Sequence, residues 1–436
     1  MVTWRPVALL AALAVTLPLW PAPLLGLFCY LAAVLALAGV DMVAAAPVGT
    51  VRLRRAGGRQ VRLGQSVDVA LTVTNGATRP LRAEIRDAWV PSAGATGTVR
   101  RLTVPAGGSR RFTTTLTPTR RGDRPAARVT VRSYGPLRFG YRQATGHRAD
   151  RMTPPWTVRV LPRFASRRFL PEKLARLRVL DGAVATRGRG QGTEFDALRE
   201  YVPGDDVRSI DWRGTARRGA VVVRTWRPER DRRVLCVLDT GRTSAARVGD
   251  EPRLDAAMDA CLLLAALASH ANDRVDLLAV DTTVRAALRG GGRAGLLPRL
   301  ASTLAPLHPA LVETDFELVT GEILRTERKR SLVVLFTALE PGALSEGLLP
   351  VLPMLTARHT VVVAALHDPR LDEMAAGRGD LADLYAAAAA ERSLAERARV
   401  REALHRFGVT IVDAPADTFP SEVADAYLTM KSTGRL

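Results

Sequence analysis

A chain of 436 residues, 47% of them hydrophobic, is too long for one ordinary domain and apolar enough to build two or three cores. Three cysteines exclude a disulfide framework and fit a reducing compartment. The formal charge of +20 is concentrated in Val48–Leu235, but aromatic content is 5% and no nucleic-acid motif accompanies the charge, so anionic membrane lipid is a simpler partner than nucleic acid.

Pro6–Val40 contains no charged residue, which exceeds a secretory apolar region and suits two short transmembrane helices broken near Pro18–Pro23. Residues 1–45 are therefore read as a membrane anchor, with Trp4 and Trp20 at the interfaces. Arg5 on one flank and Arg52, Arg54 and Arg55 on the other place both ends in the cytoplasm. The competing reading is a cleaved signal ending at the small-residue cluster Ala44–Ala46. The apolar length and the lack of disulfides weigh against it.

Over residues 46–162 the period changes to two. Val67, Val69, Leu71 and Val73 alternate with polar residues, Asn75-Gly76 reads as a hairpin turn, and alternation resumes at Leu81, Ala83 and Ile85. Further strands are expected over Thr98–Val104, Arg110–Thr117, Ala127–Ser133 and Trp156–Leu161. About seven short strands with Gly-, Pro- and Thr-rich turns predict an all-β, immunoglobulin-like sandwich. It carries no catalytic grouping and reads as a spacer or docking module.

Residues 163–233 form a segment dense in acids and arginines, densest from Gly192 to Arg233. Pro203-Gly204 suits the centre of a type II turn, and Asp205 or Asp206 is placed to cap a short helix carrying Arg208, Ile210, Asp211, Trp212 and Arg213. Phe195, Leu198, Tyr201, Ile210, Trp212 and Trp226 are expected to anchor these charges to an apolar layer. Exposed ion pairs alone stabilise little, so a plain solvated face is the competing reading.

The run E-F-D-x-L-R-E-Y-x-P-G-D-D-x-R-x-I-D-W-R-x-x-A-R-R, followed by E-R-D-R at Glu229–Arg232, resembles the signature of the domain of unknown function 58 family. The resemblance implies membrane tethering, a von Willebrand factor A-like domain after the signature, and a MoxR-type AAA+ ATPase as partner. It implies architecture and company, not a reaction.

From Arg233 onward apolar strands alternate with helices. Strands are expected at Val234–Asp239, Val275–Val280, Leu332–Thr337, Thr360–Leu366 and Val409–Val412. Helices are expected at about Leu254–His270, Leu296–Leu304, Phe316–Arg328, Ala389–Arg406 and Ser421–Thr429. Residues 234–436 thus predict a doubly wound α/β domain whose ligand-binding edge, beyond the strand carboxyl ends, would hold Asp239 and Thr337. Compared with the metal-ion-dependent adhesion site of von Willebrand A domains, Asp239-Thr240-Gly241-Arg242-Thr243 keeps Asp239 and Thr243 but has Gly241 in place of the middle hydroxyl. Ala338 stands where an Asp is expected, and Arg293, after Gly290-Gly291-Gly292, where a ligand Thr is sought. Magnesium needs several hard oxygen ligands, so the site reads as degenerate and no cofactor is expected.

Other chemistry fits worse. Gly188-Arg189-Gly190-Gln191-Gly192 lacks the Lys of a phosphate loop, and the six histidines show no zinc spacing. Cys236 falls in a buried strand. The carboxylates Glu194, Asp196, Asp205, Asp206 and Asp211 lie among arginines that hold them ionised, which suits pairing better than proton donation. The expected function is a membrane-anchored, non-enzymatic adaptor in the cytoplasmic membrane, with its soluble domains in the cytoplasm. Its partner-binding surface would use Glu194, Asp205, Asp206, Arg208, Asp211, Trp212 and Arg213. One alternative is an envelope-linked, metal-dependent binder or enzyme using the signature carboxylates. A second is binding of nucleic acid or anionic lipid through the basic half.

Overall fold

The computed structural model describes residues 3–187, 194–227, 232–290 and 295–435. The chain divides into two compact units, Met1–Arg163 and Phe164–Leu436, so the apolar N-terminus and the sandwich share one unit, and the signature belongs with the α/β domain.

The first unit opens with α1 (Arg5–Ala14), a 3-10 turn (Leu17–Leu19) and α2 (Pro23–Ala44), each with a proline in its first or second position, where no helical N–H partner is needed. At 1.5 Å per residue α2 is about 33 Å long, enough for a hydrocarbon core of about 30 Å, whereas α1 is only about 15 Å. Among the described residues one helix, beginning at Pro23, is long and apolar enough to cross a membrane. The expected pair of transmembrane helices is corrected accordingly: the first leg is a ten-residue helix plus a turn, because Pro18, Pro21 and Pro23 interrupt it. At the turn, Trp20 donates to the Tyr30 hydroxyl at 2.8 Å and leaves no room for a side chain at Gly26, where a Cβ would lie 2.9 Å from the indole.

The other end of this helical pair is tied to the sandwich. Asp41, 2% exposed, accepts the backbone N–H groups of Leu137 and Phe139 at 2.7 Å and of Gly140 at 3.2 Å. The Thr3 hydroxyl donates to the Arg138 carbonyl at 2.8 Å, and Arg5 donates to the Leu137 carbonyl at 3.1 Å. The start of α1 and the end of α2 therefore rest on the same loop. Gly135 permits this approach, since a Cβ there would meet the Asp41 carbonyl oxygen at 2.1 Å.

The sandwich strands are β1 (Val51–Gly57), β2 (Gln60–Arg62), β3 (Val67–Asn75), β4 (Leu81–Trp89), β5 (Ala95–Thr96), β6 (Val99–Val104), β7 (Ser109–Leu116), β8 (Gly122–Tyr134), β9 (Tyr141–Gln143) and β10 (Thr157–Leu161), with a short helix α3 (Gly146–Met152) before the last. One sheet runs β1-β3-β7-β5; the other runs β2-β10-β8-β4-β6, with β9 beside β8. Inward positions follow the expected alternation: Leu71, Val73, Leu81, Ile85, Val104 and Val131 are buried between the sheets. One expectation fails. Asn75-Gly76 makes no hairpin, because β3 and β4 lie in different sheets. Asn75 is instead a buried crossover post whose amide donates to the carbonyls of Arg79, Val104 and Pro105, at 2.8, 3.2 and 3.1 Å. A buried Arg55–Asp87 ion pair, with Trp89 and Thr114 also donating to Asp87, fixes the two sheets to each other.

The second unit begins with α4 (Leu170–Arg187) and a two-stranded ribbon, β11 (Glu194–Glu200) against β12 (Val222–Arg227), enclosing α5 (Trp212–Arg218). Then follow β13 (Arg233–Asp239), α6 (Arg242–Ala245), a two-residue ladder of β14 (Arg247–Val248) and β15 (Glu251–Pro252), α7 (Arg253–His270), β16 (Arg274–Val280) and β17 (Val284–Leu288). The chain continues with α8 (Leu296–Leu304), α9 (Phe316–Thr326), β18 (Leu332–Phe336), α10 (Leu349–Thr356), β19 (Thr360–Leu366), α11 (Pro369–Ala376), α12 (Leu381–Arg406), β20 (Thr410–Ala414) and α13 (Phe419–Ser432). The sheet order is β17-β16-β13-β18-β19-β20, parallel except for the edge strand β17. Its central strands are buried along nearly their whole length, as continuous Val/Leu runs in a sheet covered on both faces require.

Candidate functional site

Two groupings in the second unit bring chemistry-bearing side chains together. The first lies at the carboxyl ends of β13 and β18. Asp239, 3% exposed, ends the central strand, and four neighbours donate to its carboxylate. The Gly241 N–H and the Thr314 hydroxyl approach Oδ1, the former at 2.7 Å. The hydroxyls of Thr243 and Thr337 approach Oδ2 at 3.1 and 2.6 Å. Gly241 is required by this closure, since a Cβ there would fall 2.2 Å from the Thr314 hydroxyl. Next to it Asp281, fully buried, accepts from Thr240 at 3.1 Å and from Arg285 at 2.6 Å. Burial raises the Asp281 pKa, but Arg285, the Thr283 N–H and the Thr240 hydroxyl outweigh it and hold the carboxyl below its ordinary range.

Asp239, Thr243 and Thr337 thus meet at one point. The third hydroxyl, Thr314, is not among the residues read from the sequence; the loop compared there, Gly290–Arg293, falls largely on residues 291–294, which lie outside the described residues. A signal was present in Thr314-Asp315, because Asp315 caps α9 by accepting from Leu318 N–H at 2.8 Å and so fixes its neighbour at the sheet edge. Magnesium fits poorly here. The site offers one carboxylate whose two oxygens already accept four protein donors, and the side chain of Ala338, buried beside Thr337, brings no oxygen to it. Among the described residues no group of three or more His, Cys, Asp or Glu could hold a metal ion.

The second grouping is the signature. Val202 to Asp205 form the expected turn, with Gly204 at φ +108° and the Asp205 N–H donating to the Val202 carbonyl at 3.0 Å. Asp205 folds back onto Arg199, which donates to its Oδ2 at 2.7 Å, and accepts the Val202 N–H at 2.9 Å. Two helices follow rather than one. Asp206 caps the 3-10 turn Val207–Ser209, and Asp211 caps α5 by accepting from Arg213 and Gly214 N–H, both at 3.2 Å, while Arg224 of β12 lies 3.3 Å from its other oxygen. Arg199 holds the Asp205 carboxyl below its ordinary pKa, and the Gly214 N–H followed by Arg224 does the same for Asp211. These acids are committed to the fold as ionised acceptors.

The apolar support differs from expectation. Leu198 and Val222 underlie α5, and Gly214 lets the helix sit on them: a Cβ there would meet Val222 at 3.0 Å and Leu198 at 3.4 Å. Trp212, expected to anchor the charges, is 69% exposed instead. The reason is phase: Asp211 must face the ribbon to cap the helix, which turns the next residue outward. Arg208, Arg213, Arg217 and Arg218 are exposed and form no ion pair among the described residues, and Asp211 pairs with Arg224 rather than with its helix neighbours. Glu194 and Phe195 open β11, with Phe195 the register partner of Trp226, but the side chains of Glu194, Phe195, Asp196 and Trp226 lie outside the described residues, as does Glu229 entirely. Arg199 and Arg224, the partners of the signature acids, were not singled out from the sequence, since their pairing depends on the ribbon register.

Residues 197–409 match the family described as Protein of unknown function DUF58, so the resemblance read from the signature holds over that span. Uncharacterized proteins of Mycobacterium tuberculosis (strain H37Rv) and Mycobacterium bovis are 28% identical over 189 residues, which is 42% of this chain and 57% of theirs. The chain therefore spans little more than half the length of these curated relatives. Among solved structures, the CARDB domain of a Pyrococcus furiosus protein aligns at 12% identity over 26% of this chain and 87% of its own, with a TM-score of 0.18. The cupredoxin domain of amoB from Nitrosocaldus yellowstonii aligns at 11% identity over 26% of this chain and 86% of its own, with a TM-score of 0.16.

Proposed function

We propose that this chain is a membrane-anchored, non-enzymatic adaptor whose signature face docks a protein partner, a MoxR-type AAA+ ATPase. In this reading the sandwich is immunoglobulin-like, the α/β domain is von Willebrand A-like, and both stand on the cytoplasmic side of the membrane. One observation carries it. The acids of the signature are spent on caps and on Arg199 and Arg224, which leaves Val207 and Arg208 of the 3-10 turn and Trp212 and Arg213 of α5 exposed to solvent between the ribbon strands. An exposed Trp among arginines that form no ion pair among the described residues is the composition of an interface centre, where large aromatic and Arg side chains supply most of the binding energy. Acids held ionised by their neighbours are poor proton donors, which argues against an enzyme built on them. The test is capture of the purified ATPase by the detergent-solubilised full chain. Wild type should retain it and Trp212→Ala should lose most of that retention; equal retention by both would overturn the docking face.

A further inference from the structure

The outer face of the sandwich next to α1 carries a second grouping that the adaptor reading does not use. On β4, Arg82 and Glu84 point to the same side, and the register sets Thr103 and Tyr134 beside Arg82, and Arg101 and Arg132 beside Glu84. Tyr141 on β9 pairs with Tyr134, their rings 5.6 Å apart, and the Arg132 guanidinium stands 5.3 Å from the Tyr141 ring centre. The start of α1 and the loop carrying Arg138 wall this grid on one side. Together they enclose a cavity of about 370 Å³ lined by Arg5, Arg82, Arg101, Arg132 and Arg138, with Glu84 the sole acid among the lining residues.

The charges are not mutually satisfied. Glu84 accepts from Arg101 at 2.8 Å and from Arg132 at 3.4 Å, and that is all the carboxylate the cavity holds. Arg82 is half-buried and has no ion pair among the described residues. Arg138 adopts a left-handed backbone, φ +57°, at the loop that receives both ends of the helical pair. Five guanidinium groups held around a single carboxylate call for an external anion.

The position says which anion. The cavity includes Trp4, 74% exposed, at the point where the apolar helix begins, and Asp41 fixes the end of α2 to the same loop. Given the membrane-anchored reading, on which this inference rests, the opening lies at headgroup depth, where an indole and arginines are favoured. We propose that this cavity binds the phosphate of an anionic lipid headgroup, with Arg82 and Arg132 on the sheet and Arg138 on the loop as its main ligands.

The experiment uses the full chain in a neutral detergent, with melting followed during titration by dihexanoyl phosphatidylglycerol below its micelle concentration. Dihexanoyl phosphatidylcholine and inorganic phosphate serve as parallel titrants. Saturable stabilisation by the anionic lipid, absent with phosphatidylcholine and much weaker with phosphate, is expected. Arg82→Gln and Arg138→Gln should each raise the half-saturating concentration about fivefold. Arg86→Gln, an equal charge loss on the same strand outside the cavity lining, should leave it unchanged. Because Arg138 lies on an exposed loop, its variant keeps the test valid if Arg82→Gln folds poorly. Equal stabilisation by inorganic phosphate would make this a free-anion site and overturn the lipid assignment. No saturable effect, or an equal response of Arg86→Gln, would overturn the site itself. None of these readouts involves the ATPase, and the membrane reading fails separately if the chain is recovered in the soluble fraction of its cells.

Discussion

Thr337 donates its hydroxyl to Oδ2 of Asp239 at 2.6 Å across 98 residues of sequence, closing the carboxyl end of the central strands with a hydrogen bond between two protein groups. The carboxylate is shared among four protein donors, so it works as an internal acceptor. Millimolar magnesium or manganese should leave the melting temperature of the full chain unchanged. Asp239→Ala should cost roughly 2–4 kcal/mol, because it strands buried hydroxyls and an N–H. Saturable stabilisation by magnesium, abolished in Asp239→Ala, would show instead that the three hydroxyls bind metal.

In the signature, the residues that hold the fold and those proposed to dock a partner lie only a few positions apart. Asp211→Ala removes the α5 cap and the Arg224 partner, so it should lower thermal stability more than Arg208→Ala or Arg213→Ala does. The two arginine variants, and Trp212→Ala, should stay within about 0.5 kcal/mol of wild type by chemical denaturation, since they lose surface groups only. A large loss on Trp212→Ala would mean that the indole is an internal brace, and the docking face would have to be sought elsewhere.

Asp41 and Gly135 should fail in the same way for different reasons. Asp41→Ala deprives three backbone N–H groups of their acceptor, while Gly135→Ala places a methyl group into the same approach. Both should speed hydrogen exchange at Leu137, Phe139 and Gly140 by at least about tenfold, with little change in the second unit. Unaltered exchange in both variants would show that the contact between helix and loop does not hold the helical pair on the sandwich.

Much of this was legible because it depends on local pattern. The buried runs of β13, β18 and β19, the helices between them and the Pro203-Gly204 turn follow from periodicity and from φ > 0 at a glycine. What was missed depends on distance along the chain. Asn75-Gly76 has the composition of a hairpin turn, but which sheet receives β4 is decided by where Leu81, Ala83 and Ile85 bury their side chains. Thr314 reaches Asp239 from 75 residues away, and no spacing rule points to it. Trp212 looked like an anchor because tryptophan is usually buried, yet the helix phase imposed by Asp211 turns it outward. Asp41, just past the uncharged run Pro6–Val40, is a buried acceptor for a loop roughly 100 residues later, a role no local pattern marks.

His359 gives a stability test that depends on pH. It lies just before β19, 2% exposed, and neither ring nitrogen has a hydrogen-bond partner among the described residues. Burial, then the nearby positive charges of Arg358 and Arg330, lower its pKa below the ordinary 6.5. The folded chain thus resists protonating a ring that the unfolded chain protonates freely. The sign follows: the stability linked to His359 is fully present above about pH 6.5 and falls as pH drops below it, by at most about 1.4 kcal/mol per pH unit, levelling off beneath the folded-state value. His359→Phe keeps an aromatic ring in the space and cannot take a proton. Between about pH 6.5 and 5 the wild type should lose more stability than this variant in parallel denaturant titrations, and the two should converge in slope above pH 7, where groups common to both cancel. Identical pH dependence would show that His359 protonates equally well in the folded and unfolded chain, so that its burial is relieved on protonation.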